Sequence, residues 1–298
     1  MSRQKQQTQR IEDDILTQSL PLPVQIDEVA KIRGWFRPPN DSLYYPLIQS
    51  YLDGKTSLQD TLQELTAPLD KARQRDKMYD AWGDVWYSFI HSAKRIPVHD
   101  EQNFDKLLSL LKALSEDPQY KQFPKLGMYS REAYNDSPGV GAGWTPPENS
   151  AWASYNSFLA RLDQEGLFES ASSFGLWALR DALERNWADS SEDDVNPGTK
   201  TQKYDATTPA AAAWVTTTGK KLYGQEEDVD PKLKKKDVAL RDLDEGGKMW
   251  PGAARFSKER WTFWKARFGE IAGMEEIGEA TRKVAREAAE AMEKVESN

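Results

Sequence analysis

Reactive side chains are few in this 298-residue sequence, and their spacing excludes more chemistry than it admits. Histidine occurs twice, at His91 and His99, and cysteine not at all. That removes disulfides, thiolate metal sites and cysteine nucleophiles together, leaving two imidazoles as candidate bases or zinc ligands. They stand at the end of one predicted helix and in the loop after it, with no further ligand at metal spacing. Asp189, Glu192, Asp193 and Asp194 cluster without the alternate spacing or the glycine of a calcium loop. No serine sits in a Gly-x-Ser-x-Gly elbow. The run Pro138–Gly139–Val140–Gly141–Ala142–Gly143 is glycine-rich, but no strand precedes it and no Gly-Lys-Ser/Thr follows, so a flexible loop is expected instead of a phosphate cradle. The carboxylate pairs Asp163/Glu165 and Asp181/Glu184 fall on predicted helices, where solvated faces explain them, and Arg180 with Glu184 reads as an ordinary i,i+4 pair. No catalytic residue, metal site or cofactor is expected from these patterns.

The densest concentration of binding-competent side chains is Phe256–Ala272, FSKERWTFWKARFGEIA. Ser257 is a suitable N-cap and Glu259 a favourable first-turn carboxylate, so a helix should begin near Lys258. Trp261, Trp264, Phe268 and Ile271 then share one apolar face. Arg260, Lys265 and Arg267 fall on other sides. A core helix flanked by solvated cations is the plainer account; an aromatic-and-arginine pocket wall is the sharper one. The candidate pocket or partner surface comprises Trp177, Arg180, Trp214, Arg260, Trp261, Trp264 and Arg267.

Stepping outward, the elements that must position these residues are all helical. An arm over residues 1–41 is Gln-rich at its start and carries two prolines in LPLPV at Leu20–Val24, which disfavour regular structure; Ile26, Val29, Ile32, Trp35 and Phe36 anchor its end. One all-α, helical-bundle-like domain with long irregular loops is expected over residues 42–298. Its first helix starts at Ser42 and stops at Gly54, and Ser57 with Asp60 opens the next. Thr66 and Pro68 read as a further cap, and Leu69–Ile96 as a long core helix around Trp82, Val85, Trp86, Phe89 and Ile90. Asp100 or His99 begins a helix that Asp117–Pro118 ends. Residues 116–150, with five prolines, lack periodicity and read as a long loop. Two antiparallel helices follow, from Ala151 to Gly166 and around Trp177, then a surface loop over 188–207. Thr208–Pro209 caps a helix carrying Trp214, Val215 and Leu222. A second surface loop covers 225–250, and a last helix runs from Glu275 to about Val295 with Ile277, Ala280, Val284, Ala288, Ala291 and Val295 on its packed face. No sustained alternation suggests a strand.

Eleven tryptophans and 38% hydrophobic residues argue for a folded chain despite 30% charged residues. A net charge of −8 disfavours duplex nucleic acid and anionic membranes as partners. No segment has the length of apolar sequence that a signal peptide or membrane span requires. A soluble, cytoplasmic protein is expected, with Lys232, Lys234, Lys235 and Lys236 as a candidate basic address for nuclear entry; a solvated loop is the commoner meaning of such a run.

Several blocks carry a family resemblance: Trp152 with Phe158–Leu162, Leu176–Glu184, Ala211–Trp214 with Leu222–Gly224, and above all Phe256-Ser257-x-Glu259-Arg260-Trp261-x-Phe263-Trp264-Lys265-x-Arg267-Phe268. Upstream, Tyr51–Gly54 and Leu65–Leu69 match more weakly. Over about residues 42–292 the chain resembles a family of mostly fungal proteins known only as a domain of unknown function. The resemblance implies an intracellular helical protein of fungal type and carries no catalytic residue over. The first expectation is therefore a non-enzymatic interaction or scaffold protein whose partner is another protein. The alternative is a small-molecule binder or accessory enzyme of fungal metabolism using the Trp/Arg-lined pocket.

Overall fold

A computed structural model describes residues 2–36, 42–74, 78–168, 170–191, 193–225, 247–252 and 255–297, and every regular element among them is a helix. The all-α expectation holds because the apolar periodicity is helical throughout. The chain divides into two compact units, one of Met1–Phe158 with Asp193–Pro197, the other of Leu159–Glu192 with Gly198–Asn298.

The first unit contains α1 (Arg3–Ile11), extended by a wider π-helical turn at Glu12–Leu16, then α2 (Leu22–Arg33), α3 (Tyr45–Leu52), α4 (Leu58–Gln74), α5 (Met78–Arg95), α6 (Glu101–Glu116) and α7 (Leu126–Tyr134). Helix α8 (Pro146–Gln164) begins in this unit, and the division falls within it. Helix α5 is the hub, packing on α2, α3, α4, α6 and α7. Its residues Trp82, Val85, Trp86, Phe89 and Ile90 are buried as their spacing predicts, with Trp82 stacked on Trp86 at 5.3 Å.

Four helices complete the second unit: α9 (Ser172–Leu183), α10 (Lys200–Gly224), α11 (Lys258–Ala272) and α12 (Glu279–Glu296). Helix α10 packs on α9 and α12, and α11 packs on the same two, which closes a four-helix arrangement. Trp214 of α10 is wholly buried against Gly175 of α9; a Cβ at Gly175 would lie 2.7 Å from the indole. Only glycine lets the two helices approach this closely.

Local rules placed some boundaries correctly. Ser257 caps α11, its hydroxyl accepting from the Arg260 N–H, and Asp100 caps α6 by accepting from the Asn103 N–H. Ser42 accepts from Tyr44 and Tyr45 ahead of α3.

Other expectations are corrected. The expected 1–41 arm is helical over Arg3–Leu16 and Leu22–Arg33, with a break at 17–21, because Pro23 lies in the first turn of α2, where its missing N–H removes no helical bond, and Gly34 closes the helix at φ 76°. Ile11, Ile15 and Val29 form a buried cluster there, with Ile32 and Trp35 packed on it. The supposed loop 116–150 contains α7 and the first turn of α8. Pro68 and Pro209 are inside helices α4 and α10 instead of opening them, and α10 begins eight residues before Thr208, at a Thr199/Gln202 capping box, so residues 200–207 are not loop. Of the stripe expected on α12 and its approach, Ile277 and Ala288 are buried, while Thr281, Ala285 and Met292 take the buried places beside Ala280, Val284 and Ala291, and Ala280 is exposed. The 225–250 segment lies almost wholly outside the described residues. Among those described, no helix is long and apolar enough to cross a membrane.

The glycines of the second unit give a paired test by urea unfolding. Gly175→Ala should destabilise by about 1–3 kcal/mol, since the buried Trp214 ring cannot yield. Gly219→Ala on α10 meets only 3.4 Å contacts with Trp261 and Val295 and should be near neutral, with up to about 1 kcal/mol of helix propensity in its favour.

Candidate functional site

Arg260 and Trp264 of the second unit converge on Glu184, a carboxylate that the sequence placed on a solvated face. Glu184, directly after α9, is wholly buried. Its Oε1 accepts from Arg260 Nε at 2.6 Å and Trp264 Nε1 at 2.8 Å; its Oε2 accepts from Arg260 Nη2 at 3.0 Å and from the Gly247 N–H. Those four donors use the full accepting capacity of a carboxylate. Arg260, also wholly buried, gives a third bond to the Arg255 carbonyl, and its guanidinium carbon lies 5.2 Å from the Trp264 ring. Arg267 donates to the carbonyls of Leu183 and Arg185 and to Asn186 Oδ1, neutralising the carbonyl end of α9, and pairs with Glu270.

Neither cation is solvated, and Glu184 pairs with Arg260 instead of Arg180. The reason is that a bidentate carboxylate–guanidinium pair tolerates burial where a lone charge does not. Trp261 is buried, donates to Glu296 and packs on Tyr223 at 5.3 Å. Trp177 is half-buried against Phe174, and Arg180 lies half-buried with its Nε 4.0 Å from Asp181. Of the seven candidate residues, the structure brings Arg260, Trp264 and Arg267 together at the end of α9 and leaves Trp177, Arg180, Trp214 and Trp261 apart from them. Asp163, expected on a solvated face, is buried and accepts from Lys221 at 2.8 Å. Lys232, Lys234, Lys235 and Lys236 lie outside the described residues.

The first unit carries a second lock of the same kind. Arg33 Nε donates to Glu148 Oε1 at 2.6 Å with both side chains fully buried. Glu148 also accepts from the N–H groups of Gly143 and Thr145 and from the Thr145 hydroxyl. The glycine-rich loop is thus tied down by its own carboxylate. A Cβ at Gly143 would come within 2.8 Å of Glu148 and 2.5 Å of Arg33, so glycine is required there for close approach and not for phosphate binding.

Beside this lock is a cavity of about 300 Å³ that sequence reasoning missed. Tyr87, Ile90, His91 and Lys94 line it from one face of α5; Gly34, Trp35 and Phe36 line it from the end of α2; Glu132, Ala133, Asn135 and Asp136 line it from the end of α7. The i, i+3, i+4, i+7 spacing from Tyr87 to Lys94 was a readable signal, obscured because the tryptophan face of the same helix dominates the pattern.

His91 Nε2 lies 2.8 Å from Asp27 Oδ1, which also pairs with Arg95 Nε at 3.0 Å. Burial lowers the imidazole pKa below its ordinary 6.5, and Lys94 and Arg95 lower it further, while the bond to Asp27 opposes the shift. The neutral tautomer therefore donates from Nε2 to Asp27 and keeps Nδ1 as an acceptor. Lys94, nearly buried, donates to Asp136 at 2.9 Å and sits 4.5 Å above the Trp35 ring. Phe36 stacks on Tyr87 at 6.4 Å. Among the described residues, no group of three or more His, Asp or Glu side chains is placed to hold a metal ion.

Fold and sites together define an all-α protein of two helical units, each fastened by a buried arginine–glutamate pair, with a polar aromatic cavity in the first. The chain belongs to the family described as protein of unknown function DUF3632, which matches residues 86–268. That span is shorter than the resemblance read from sequence; it includes Glu184 and Arg260, while Trp35 and Phe36 precede it. No curated protein and no solved structure matches the chain.

Two stability outcomes follow. Arg260→Met should cost about 3–5 kcal/mol by leaving Glu184 charged and buried, and adding Glu184→Met should recover part of that, because the double variant leaves no lone ion. Equal urea midpoints for wild type and Arg260→Met would show the lock to be idle. His91 has a depressed folded pKa, so its contribution is full above pH 6.5 and declines as pH falls from there toward the folded value. In His91→Gln that part of the acid-side slope should vanish in unfolding free energies measured across the range.

Proposed function

We propose that the protein binds a small molecule in the cavity of its first unit. The observation that carries this reading is the meeting, around one concave space of about 300 Å³, of three aromatic rings with a neutral histidine, a lysine and two carboxylates. Apolar walls with a few convergent polar groups are the usual make-up of a ligand site. His91 is oriented by Asp27 and Lys94 by Asp136, so both polar heads are held in place before a ligand arrives. We assign the tryptophan–arginine group of the second unit to holding helices, since its donors and acceptors are engaged with one another. The absence of cysteine favours a reducing compartment, and we place the protein in the cytoplasm.

A second reading, an interaction or scaffold role with another protein, draws on Val140 and Val195 of the first unit, which are 59% and 63% exposed. Both sit in segments joined through Asn196, which donates to the Ala142 carbonyl and accepts from Trp144. Isolated surface valines are common, so the cavity carries more weight.

Thermal stability and tryptophan fluorescence across a metabolite library discriminate the two. Ligand in 100-fold excess over its dissociation constant should add about 2.7 kcal/mol of stability. A hit weakened at least tenfold in Trp35→Ala or Tyr87→Ala, each checked for cooperative unfolding, supports the cavity. A library without hits on the folded protein transfers the weight to a protein partner.

A further inference from the structure

We propose that the ligand of the first-unit cavity is a small organic cation, an ammonium group carried on a compact aromatic or aliphatic body; this rests on the cavity being a ligand site. Charge is the first argument. The ionic side chains that line it are Lys94, Asp136 and Glu132, one positive and two negative, and the single cation is already paired with Asp136 at 2.9 Å. Glu132 stands exposed at the rim, where an arriving charge would meet it first.

Helix ends point the same way. Helix α2 terminates at Gly34 and α7 at Asn135, and residues from both termini line the cavity. Each terminus carries the negative end of its helix dipole, roughly half a charge, partly offset where Gln7 donates to the Ile32 carbonyl and the N–H groups of residues 135–137 donate to the last carbonyls of α7. An anion would therefore meet two carboxylates and two negative helix ends, with no uncommitted cation to receive it.

The walls distinguish an organic cation from a metal ion. Trp35, Phe36 and Tyr87 are among the residues that line it, and aromatic rings attract ammonium groups by their quadrupole, whereas a hard metal ion needs six or more oxygen ligands. The chain itself displays the recognition mode: the Lys94 ammonium lies 4.5 Å above Trp35 and 5.6 Å above Tyr155 while bonded to Asp136. Ring face and carboxylate already coordinate one ammonium here, and a volume of about 300 Å³ admits only a ligand of modest size for the second.

The test titrates the full chain, by calorimetry, with three molecules sharing one ring and differing in charge: phenethylammonium, 2-phenylethanol and phenylacetate. Tetramethylammonium serves as a ring-free cation. Phenethylammonium should bind at least tenfold more tightly than the alcohol, and phenylacetate most weakly. Glu132→Lys changes an exposed residue, so the protein should stay folded, and cation affinity should fall about tenfold or more. Alcohol or phenylacetate binding as tightly as phenethylammonium, in a manner that Trp35→Ala abolishes, would overturn the cation assignment and leave the ligand site standing. Binding of cations undiminished by both Glu132→Lys and Trp35→Ala would place them elsewhere and overturn it too. If none of the four binds, the cation assignment falls, and the metabolite library then decides the cavity separately: a hit there keeps the ligand site, and no hit removes both.

Discussion

A guanidinium removed from water must be met by a carboxylate whose other lone pairs are also met, and both units of this chain are organised around that requirement. Arg33 with Glu148 and Arg260 with Glu184 are fully buried pairs. Desolvating two such ions costs several kcal/mol apiece, so the pairs persist only because each carboxylate collects further donors: backbone N–H groups and a threonine hydroxyl for Glu148, the Trp264 indole and the Gly247 N–H for Glu184. The strength of such a centre lies less in net stability than in geometric demand. The bidentate Arg260–Glu184 fork accepts its partner from one direction, which fixes where α11 starts relative to the end of α9, while Arg33 gives Glu148 one bond and spends its other donors on the Gln4 carbonyl and the Thr8 hydroxyl, tying the end of α2 to α1 and to the start of α8.

Because these ends are fixed, α5 can afford two dissimilar faces. Its tryptophan face packs conventionally, with Trp82 and Trp86 stacked and Trp86 donating to the Pro124 carbonyl. Its other face carries His91 and Lys94, which a purely apolar core would exclude. Each is retained by a carboxylate, His91 by Asp27, which Arg95 shares, and Lys94 by Asp136, and those carboxylates stay partly accessible at 22% side-chain exposure. Partial hydration lowers the desolvation cost of the pairs and leaves a wet, polarised space beside aromatic rings. That combination suits recognition better than it suits packing.

The groove between α11 and α12 shows the contrast. It is larger, about 550 Å³, yet open, and is lined by Gly269, Ala272, Gly273 and Ala289 together with Lys265, Arg286, Glu290 and Glu293. It follows from small residues at a helix crossing, and no aromatic ring is among the residues lining it. Volume alone does not make a site; the direction of the groups around it does.

Sequence by itself determined the helical class, most apolar faces and the caps at Ser57, Asp100 and Ser257, because each depends on residues within about one turn of one another. Proline misled where it lay in a first turn or inside a long packed helix, as at Pro23, Pro68 and Pro209, since tertiary contacts outweigh one lost backbone bond. Arg260 and Arg267 stood out in the sequence but were given solvated surroundings as the plainer account, and Arg33 gave no signal at all. Arg260 finds Glu184 across 76 residues and Arg33 finds Glu148 across 115, and no local pattern encodes a partner at such separation. The cavity likewise unites three segments that are adjacent only after folding, the ends of α2 and α7 and one face of α5. Local chemistry wrote the helices; the pairing of distant charges, which becomes obligatory only once water is excluded, decided which residues meet.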